Sequence, residues 1–127
     1  MRIAIIGIEL SQLVCAHTLL DKHPDMEVHL ISERAEAGLI GELPGLITNP
    51  LSNTIPNEWI GDLGSQLPTS SDTAVRRSWL EKAITTKLVE RGVNLHLRTT
   101  TQRGKTDSGE SITLSGAGYS SGSTLLF

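Results

Sequence analysis

The residues with the clearest chemical potential surround Gly7, where an apolar run from Arg2 to Ile6 gives way to an amphipathic stretch. Glu9, Ser11 and Gln12 follow this glycine closely. The first N–H groups of a helix have no partners inside it, and together with the helix dipole they attract anions. A turn from strand to helix at Gly7 is therefore expected to be an anion-binding position, suited to a phosphate or to a carboxylate.

Hydrophobic periodicity predicts a βαβ unit, residues 1–34, around this turn. Arg2 to Ile6 is a near-continuous apolar strand, which is typical of a parallel strand covered on both faces. Apolar residues recur at helical spacing from Leu10 to Lys22, until His23-Pro24-Asp25 ends the helix. Val28 to Ile31 forms a second strand. A span of about thirty residues suits such a unit.

The next stretch, residues 35–71, is rich in proline and glycine and holds four of the five prolines. A structureless loop of this length is unusual in a compact domain. We therefore expect short helical turns within it and a functional or partner-facing role.

Residues 72–127 are predicted to contain a second helix followed by strands. Ser71, Asp72 or Thr73 would cap the helix, and Gly92 would end it in the left-handed conformation. Its apolar face would comprise Leu80, Ala83, Ile84 and Leu88. A strand follows from Val93 to Leu97, where apolar and polar residues alternate.

The end of the chain has the pattern of antiparallel strands. Asp107-Ser108-Gly109 tolerates a tight turn, with Gly104 as a second candidate, and Ile112 and Leu114 mark the returning strand. The Gly- and Ser-rich residues 115–123 predict a further turn, after which an apolar strand begins at Thr124.

Composition narrows the classes of partner. A length of 127 residues suits one domain, and a formal charge of −3 without a basic block argues against nucleic acid. The apolar run Ile3 to Ile6 is too short for a signal peptide or a membrane span, so a cytoplasmic protein without a membrane partner is expected.

The side chains that bind metals or form disulfides are few. Cys15 is the single cysteine, which excludes an internal disulfide, and its place in an apolar helical pattern predicts packing in the core. The four histidines are scattered, and no pair has the spacing of a zinc or iron site, so no metal is predicted.

With these elements the chain resembles the N-terminal part of FAD-dependent oxidoreductases of the glutathione-reductase-like superfamily, especially the monooxygenase, halogenase and geranylgeranyl-reductase branch. Residues 1–7 look like the first strand and first glycine of that family, and residues 28–34 look like its second strand. Residues 77–97 are similar to its Arg-x-x-Leu helix and following Gly-Val strand, and Gly41-Glu42-x-Pro44 is similar to a Gly-Glu segment of the halogenase-like members.

The resemblance implies an α/β fold over residues 1–127, namely a three-layer Rossmann-like FAD/NAD(P)-binding domain. A parallel sheet with a small antiparallel β-meander is expected, with FAD as the implied cofactor. Members of the family continue into a second glycine motif and a substrate domain, so the chain is expected to be truncated relative to them.

The glycine motif of this family, G-x-G-x-x-G, is altered here. Only Gly7 is present, while Glu9 and Gln12 stand at the second and third glycine positions. Two like charges about 4 Å apart repel by ~1 kcal/mol in water and by ~4 kcal/mol at an effective dielectric of 20. Cofactor affinity is therefore expected to fall. We also hypothesise that Glu9 takes the electrostatic position of the lost phosphate at the helix N-terminus.

The ribose position of the family is altered as well. The acidic residue that usually ends the second strand and bonds the ribose hydroxyls is replaced by Ser32, with Glu33 one place later. Either Glu33 takes that role, after an insertion in the turn between the helix and the strand, or the segment is an ordinary solvated strand end. Arg77 matches the arginine by which the family approaches the flavin, although an exposed helical arginine has the same appearance. Ser11 and Arg34 complete the candidate cofactor-binding residues, whereas Glu42 is read as a plain loop carboxylate.

Two functional hypotheses follow, and neither includes a catalytic residue readable from the sequence. The first is a flavin-binding domain or subunit with impaired or vestigial cofactor binding, inactive alone and completed by a second protein chain. The second is a non-catalytic binding or assembly module that keeps the fold, with Leu125-Leu126-Phe127 leaving a sheet edge for a partner. A nucleotide-binding domain that prefers NAD or ADP shares the altered glycine motif.

Overall fold

The computed structural model describes residues 1–38, 44–46, 55–61, 74–116 and 119–126. That part of the chain comprises eight strands and three helices in the order β1 (Arg2–Ile6), α1 (Leu10–Lys22), β2 (Glu27–Ile31), β3 (Pro44–Leu46), α2 (Asn57–Ile60), β4 (Ala74–Arg76), α3 (Arg77–Glu90), β5 (Asn94–His96), β6 (Thr99–Thr106), β7 (Gly109–Gly116) and β8 (Tyr119–Leu126).

A parallel sheet with the strand order β1-β2-β5 forms the centre of the fold. β1 and β2 pair in parallel from Arg2 opposite Glu27 to Ile6 opposite Ile31, and β5 pairs in parallel with the other edge of β2. Helix α1 connects the two parallel strands, as the periodicity of residues 1–34 predicts. The expected βαβ unit and the α/β fold class are confirmed.

The helices α1 and α3 cover one face of this sheet. Val28 and Leu30 of β2 belong to the apolar core that these helices complete. The buried residues that α1 and α3 contribute include Leu13, Ala16, Leu20, Leu80, Ala83, Ile84 and Leu88. The predicted apolar face of the second helix is therefore confirmed. Burial of a Leu or Ile side chain stabilises by roughly 1.5–3 kcal/mol, so this face accounts for much of the stability.

Cys15 contradicts the prediction of core packing, because the structure places it on the exposed side of α1. The buried residues Leu13, Ala16, His17 and Leu20 lie at helical spacing on one face. Cys15 falls outside that stripe, on the side of Lys22. One apolar residue within an amphipathic helix does not mark a buried position.

The antiparallel meander of β6, β7 and β8 forms the third layer, and β6 contacts β2. Asp107 and Ser108 lie between β6 and β7, as the turn signal predicts. The turn predicted over residues 115–123 is too long, because Ser115 and Gly116 continue β7 and residues 119–123 already belong to the antiparallel β8. Ladder pairing overrides the low strand propensity of these residues, with Leu114 opposite Ser123 and Gly116 opposite Tyr119.

The start of α3 also differs from the expectation. The helix begins at Arg77 after β4, which pairs antiparallel with β3, so that Arg76 is its N-cap residue. The predicted caps Ser71, Asp72 and Thr73 are therefore too early, and they lie outside the described residues, as do Glu42 and Phe127. At the other end Gly92 has φ 92°, which confirms the predicted left-handed residue.

The short helix α2 lies within the Pro/Gly-rich stretch and buries Trp59 and Ile60. The longest described helix, α3, has 14 residues, and none of the described helices is long and apolar enough to span a bilayer.

Candidate functional site

The turn from β1 into α1 depends on Gly7. Its φ of +114° lies in the region that favours glycine, and its N–H donates to the carbonyl oxygen of Ile31 over 2.8 Å. A Cβ at this position would lie 3.1 Å from Cδ of Gln12. The side chain of Gln12 therefore lies against the turn.

A buried carboxylate of α3 reaches the N-terminus of α1. Oε1 of Glu81 accepts a hydrogen bond from the N–H of Leu10 over 3.1 Å and another from Nε of Arg77 over 2.9 Å. Glu81 is 0% exposed, and its Oε2 is buried without a hydrogen-bond partner in the described part of the chain. An anion of the protein itself therefore binds an N–H group that the helix leaves unpaired, where the dipole favours negative charge.

Glu9 extends this arrangement toward the surface. Its Oε1 lies 3.0 Å from a terminal nitrogen of Arg34, and its Oε2 lies 3.7 Å from a terminal nitrogen of Arg77. Glu9, Arg34, Arg77 and Glu81 thus form what we call the charge cluster, two carboxylates and two guanidinium groups with a formal charge of zero. The charge cluster joins the start of α1, the segment after β2 and helix α3 at the carboxyl end of the parallel sheet.

The hypothesis that Glu9 itself takes the phosphate position requires correction. Glu9 is the N-cap residue of α1, yet its side chain makes no capping hydrogen bond. The carboxylate that binds an N–H of α1 belongs to Glu81, while Glu9 binds the two arginines. The physical reason is proximity, because α3 packs beside α1 and brings Glu81 directly onto Leu10.

A groove of about 290 Å³ lies beside the cluster at the carboxyl ends of β1 and β2. We call it the β2-end groove. It is lined by Ile6, Gly7, Ile31, Ser32, Glu33, Arg34, Thr99 and Thr101. The hydroxyl oxygen of Ser32 accepts a hydrogen bond from the backbone N–H of Arg34 over 3.1 Å. Glu33 is exposed and forms no ion pair with a described residue.

The structure brings most of the predicted site residues to one place. The turn and the charge cluster contain Gly7, Glu9, Gln12, Arg34 and Arg77, and the groove contains Ser32 and Glu33. Ser11 is exposed and donates a hydrogen bond to the side-chain oxygen of Gln12 over 3.2 Å, and among the described residues it forms no hydrogen bond or ion pair with the four members of the charge cluster.

Glu81 was missed by the sequence reasoning. It lies next to the apolar face of α3, and its contact with Leu10 joins residues 71 positions apart. The available signal was the i,i+4 spacing of Arg77 and Glu81, which indicates an ion pair on a helix. That signal gives no indication of burial.

A second polar network joins α1 and α2 to the C-terminal half of α3. Nε2 of His17 donates to the carbonyl oxygen of Ile84 over 3.1 Å, which leaves Nδ1 to accept a hydrogen bond from Arg91 over 2.9 Å. Asp21 accepts hydrogen bonds from Arg91 and from the indole N–H of Trp59. Burial lowers the pKa of His17 from 6.5 to about 4.

Two histidines that are far apart in sequence meet on the other face of the sheet. Nδ1 of His29 lies 2.9 Å from Nε2 of His96, and Nε2 of His29 lies 2.8 Å from Glu27. Burial, and then the charge of His29, lowers the pKa of His96. Over the described ranges, no three His, Cys, Asp or Glu side chains are grouped so that they could hold a metal ion.

A comparison with solved structures finds proteins whose folds match nearly the whole of this chain. CmlS, a flavin-dependent halogenase, has a TM-score of 0.64 at 15% identity over 97% of this chain and 27% of its own. OxyS anhydrotetracycline hydroxylase from Streptomyces rimosus has a TM-score of 0.63 at 16% identity over 98% of this chain and 30% of its own. CtdE, solved with FAD and a substrate, has a TM-score of 0.63 at 13% identity over 91% and 34%.

This chain shares its fold with flavin-dependent enzymes. The expected architecture is thereby confirmed, and the chain spans about a third of the length of these proteins. No protein-family model matches the sequence, and no curated protein matches it.

Proposed function

We propose that this chain is a flavoprotein-like nucleotide-binding domain with impaired affinity for FAD, and that it is not catalytic alone. The observation that carries the proposal is the carboxylate of Glu81 on the Leu10 N–H at the start of α1. In dinucleotide-binding folds of this type, the diphosphate of the cofactor binds at that helix N-terminus.

The residues around this end of α1 do not fit a diphosphate as they stand. Glu81 already accepts the Leu10 N–H, and Glu9 adds a second carboxylate nearby. Each carboxylate at about 4 Å from a phosphate oxygen would repel it by ~1 to ~4 kcal/mol, depending on the local dielectric. Arg34 and Arg77 already pair with Glu9, and the side chain of Gln12 lies on Gly7.

The shared fold supports a relation to flavin-binding domains and leaves the reaction open. CmlS is a flavin-dependent halogenase and CtdE binds FAD, but this chain corresponds to 27% and 34% of their lengths. An oxidoreductase reaction would need further walls around the flavin. Such walls would come from a second protein chain that completes the flavoprotein.

The test compares nucleotide binding before and after the obstructing groups are removed. The variant Glu9→Gly/Gln12→Gly restores the glycine frame, and a triple variant adds Glu81→Gln. Titration calorimetry and thermal shift with FAD, NAD and ADP are expected to show at least about tenfold tighter FAD binding in the triple variant, equivalent to ~1.4 kcal/mol. Glu90→Gln, at the exposed far end of α3, is the matched control.

The outcomes separate the alternatives. Wild-type protein that binds FAD as tightly as the triple variant would contradict impairment. A triple variant that folds but binds no nucleotide would contradict the nucleotide-binding proposal altogether.

That last result would favour the non-catalytic binding or assembly module. One observation supports this second candidate: within the described residues β1 is an edge strand of the parallel sheet, and its Ile6 is 54% exposed. An apolar strand with a free edge is a site for strand addition by a partner.

A further inference from the structure

Two methionines and a histidine meet at the amino end of the parallel sheet, opposite the charge cluster. They share a groove of about 470 Å³, which we call the methionine groove. It is lined by Met1, Lys22, His23, Pro24, Asp25 and Met26. The sequence contains two methionines, so all of its thioether groups lie in this groove.

The pairing of β1 with β2 places Met1 beside Met26. The parallel register continues back to these two residues, and the N–H of Glu27 donates to the carbonyl oxygen of Met1 over 3.0 Å. Neighbouring strands lie about 5 Å apart, and side chains alternate between the two faces of a sheet. Met1 therefore shares the face of Ile5, and Met26 shares the face of Val28, which is the face that packs into the apolar core. Both thioethers start from adjacent positions on one face.

A tight turn brings His23 to the same place. His23 directly follows α1, and its carbonyl oxygen accepts a hydrogen bond from the N–H of Met26 over 3.1 Å. A bond of this kind closes a β-turn, whose first and fourth Cα atoms lie within about 7 Å of each other. Pro24 takes the second position of the turn, which its fixed φ suits. Because α1 packs on the core face of the sheet, His23 lies on the side of the two thioethers.

The chemistry of these side chains selects a soft cation. Thioether sulfur is a soft ligand that favours Cu(I), and imidazole also binds copper. Lys22 and Asp25 have opposite charges, so the groove has no excess of carboxylates to attract a hard divalent ion. A zinc-type grouping of His, Cys, Asp and Glu is absent from the described residues. The spacing of histidines and cysteine, from which no metal is predicted, gives no information on thioether ligands.

The exposure of the two methionines allows an ion to enter. Met26 is partly buried and packs against the core, so its position is constrained, whereas Met1 is 92% exposed. A methionine side chain has three rotatable bonds. Met1 is therefore free to close over an ion that Met26 and His23 already hold.

We propose that the methionine groove binds Cu(I) through the sulfur atoms of Met1 and Met26 and the imidazole of His23. This site is separate from the proposed nucleotide site, because it lies at the amino end of the sheet and the charge cluster lies at the carboxyl end. The two proposals therefore stand or fall independently.

The first test uses Ag(I), a redox-stable probe of Cu(I) sites, on protein labelled with ¹³C at the methionine methyl groups. The Cys15→Ser chain is used, because the exposed thiol would bind Ag(I) itself. The spectrum contains one methyl resonance for each of the two methionines. Both resonances are expected to move together and to stop moving at one equivalent of Ag(I), while Mg²⁺ and Zn²⁺ leave them in place.

The second test measures Cu(I) affinity in the same chain by anaerobic competition with bicinchoninate. Met26→Leu keeps the volume of the side chain and removes the sulfur, and His23→Gln removes the imidazole. Each is expected to weaken Cu(I) binding at least about tenfold, with circular dichroism to confirm the fold. Asp25→Asn is the matched control, since it changes an oxygen ligand in the same groove, and it should leave the affinity for Cu(I) unchanged.

Three results would overturn the proposal. The first is a Met26 resonance that stays in place when Ag(I) is added. The second is a folded Met26→Leu protein that binds Cu(I) as tightly as its parent. The third is a loss of Cu(I) affinity in Asp25→Asn together with tighter binding of Zn²⁺ than of Cu(I), which would indicate a site for a harder ion.

Discussion

Acidification is expected to destabilise the fold through His17, whose folded-state pKa is about 4 against 6.5 in the unfolded chain. Burial keeps the ring neutral, so the unfolded state takes up the proton first and stability is lost as the pH falls from 6.5 towards 4. Each pKa unit corresponds to about 1.4 kcal/mol, which gives a loss of about 2 kcal/mol by pH 5 and about 3 kcal/mol in total. That is a large share of the roughly 5–15 kcal/mol typical of a domain.

The assay is urea unfolding followed by circular dichroism between pH 7 and pH 4. His17→Gln is the informative variant, because an amide can donate to the Ile84 carbonyl and accept from Arg91 without titrating. The lowered pKa of His96 acts in the same direction and is present in both proteins, so it cancels in the difference. A variant that loses stability as steeply as the wild type between pH 6.5 and 4.5 would refute the assignment to His17.

Three further perturbations test other parts of the structure. Glu81→Ala removes the partner of the Leu10 N–H and of Arg77, so urea unfolding should show that the free energy of unfolding falls by about 1–3 kcal/mol, and by less for Glu81→Gln. A Glu81→Ala protein as stable as the wild type would mean that the contact with α1 is absent. Gly7→Ala should lower the free energy of unfolding by about 1–3 kcal/mol because φ of Gly7 is +114°. Adding Gln12→Ala to the same chain should fail to restore stability, whereas full rescue would show that contact between the new Cβ and the Gln12 side chain alone causes the loss. Cys15 should react with a thiol reagent in the native protein at a rate close to that of the unfolded chain, and complete protection would place it in the core after all.

The elements around Gly7 could be predicted from sequence because their signals are local. Apolar spacing sets β1 and α1, and a glycine is required where φ is +114°. The resemblance to FAD-dependent oxidoreductases rests on local segments as well, chiefly residues 1–7, 28–34 and 77–97. Glu9 could be named because the glycine motif fixes its place along the chain, and Arg34 because it closes the second strand of the βαβ unit.

The part of the site that could not be predicted depends on packing between distant elements. Glu81 contacts Leu10 because α3 lies against α1, and nothing local to either residue indicates that contact. The exposure of Cys15 could not be predicted for the same reason. Helical spacing allows more than one apolar face on α1, and the elements that pack against the helix determine which face is buried. Residues 115–116 and 119–123 lie in strands because neighbouring strands offer them hydrogen bonds, and local composition gives no sign of that pairing.

The amide resonance of Leu10, followed by NMR during titration with ADP, tests the central claim most directly. If the carboxylate of Glu81 holds that N–H, the wild-type resonance should stay in place as ADP is added, and it should move in the Glu9→Gly/Gln12→Gly/Glu81→Gln variant as the diphosphate reaches the helix. A wild-type Leu10 resonance that moves with ADP as far as the variant's does would show that the N-terminus of α1 is open to phosphate and would contradict the account.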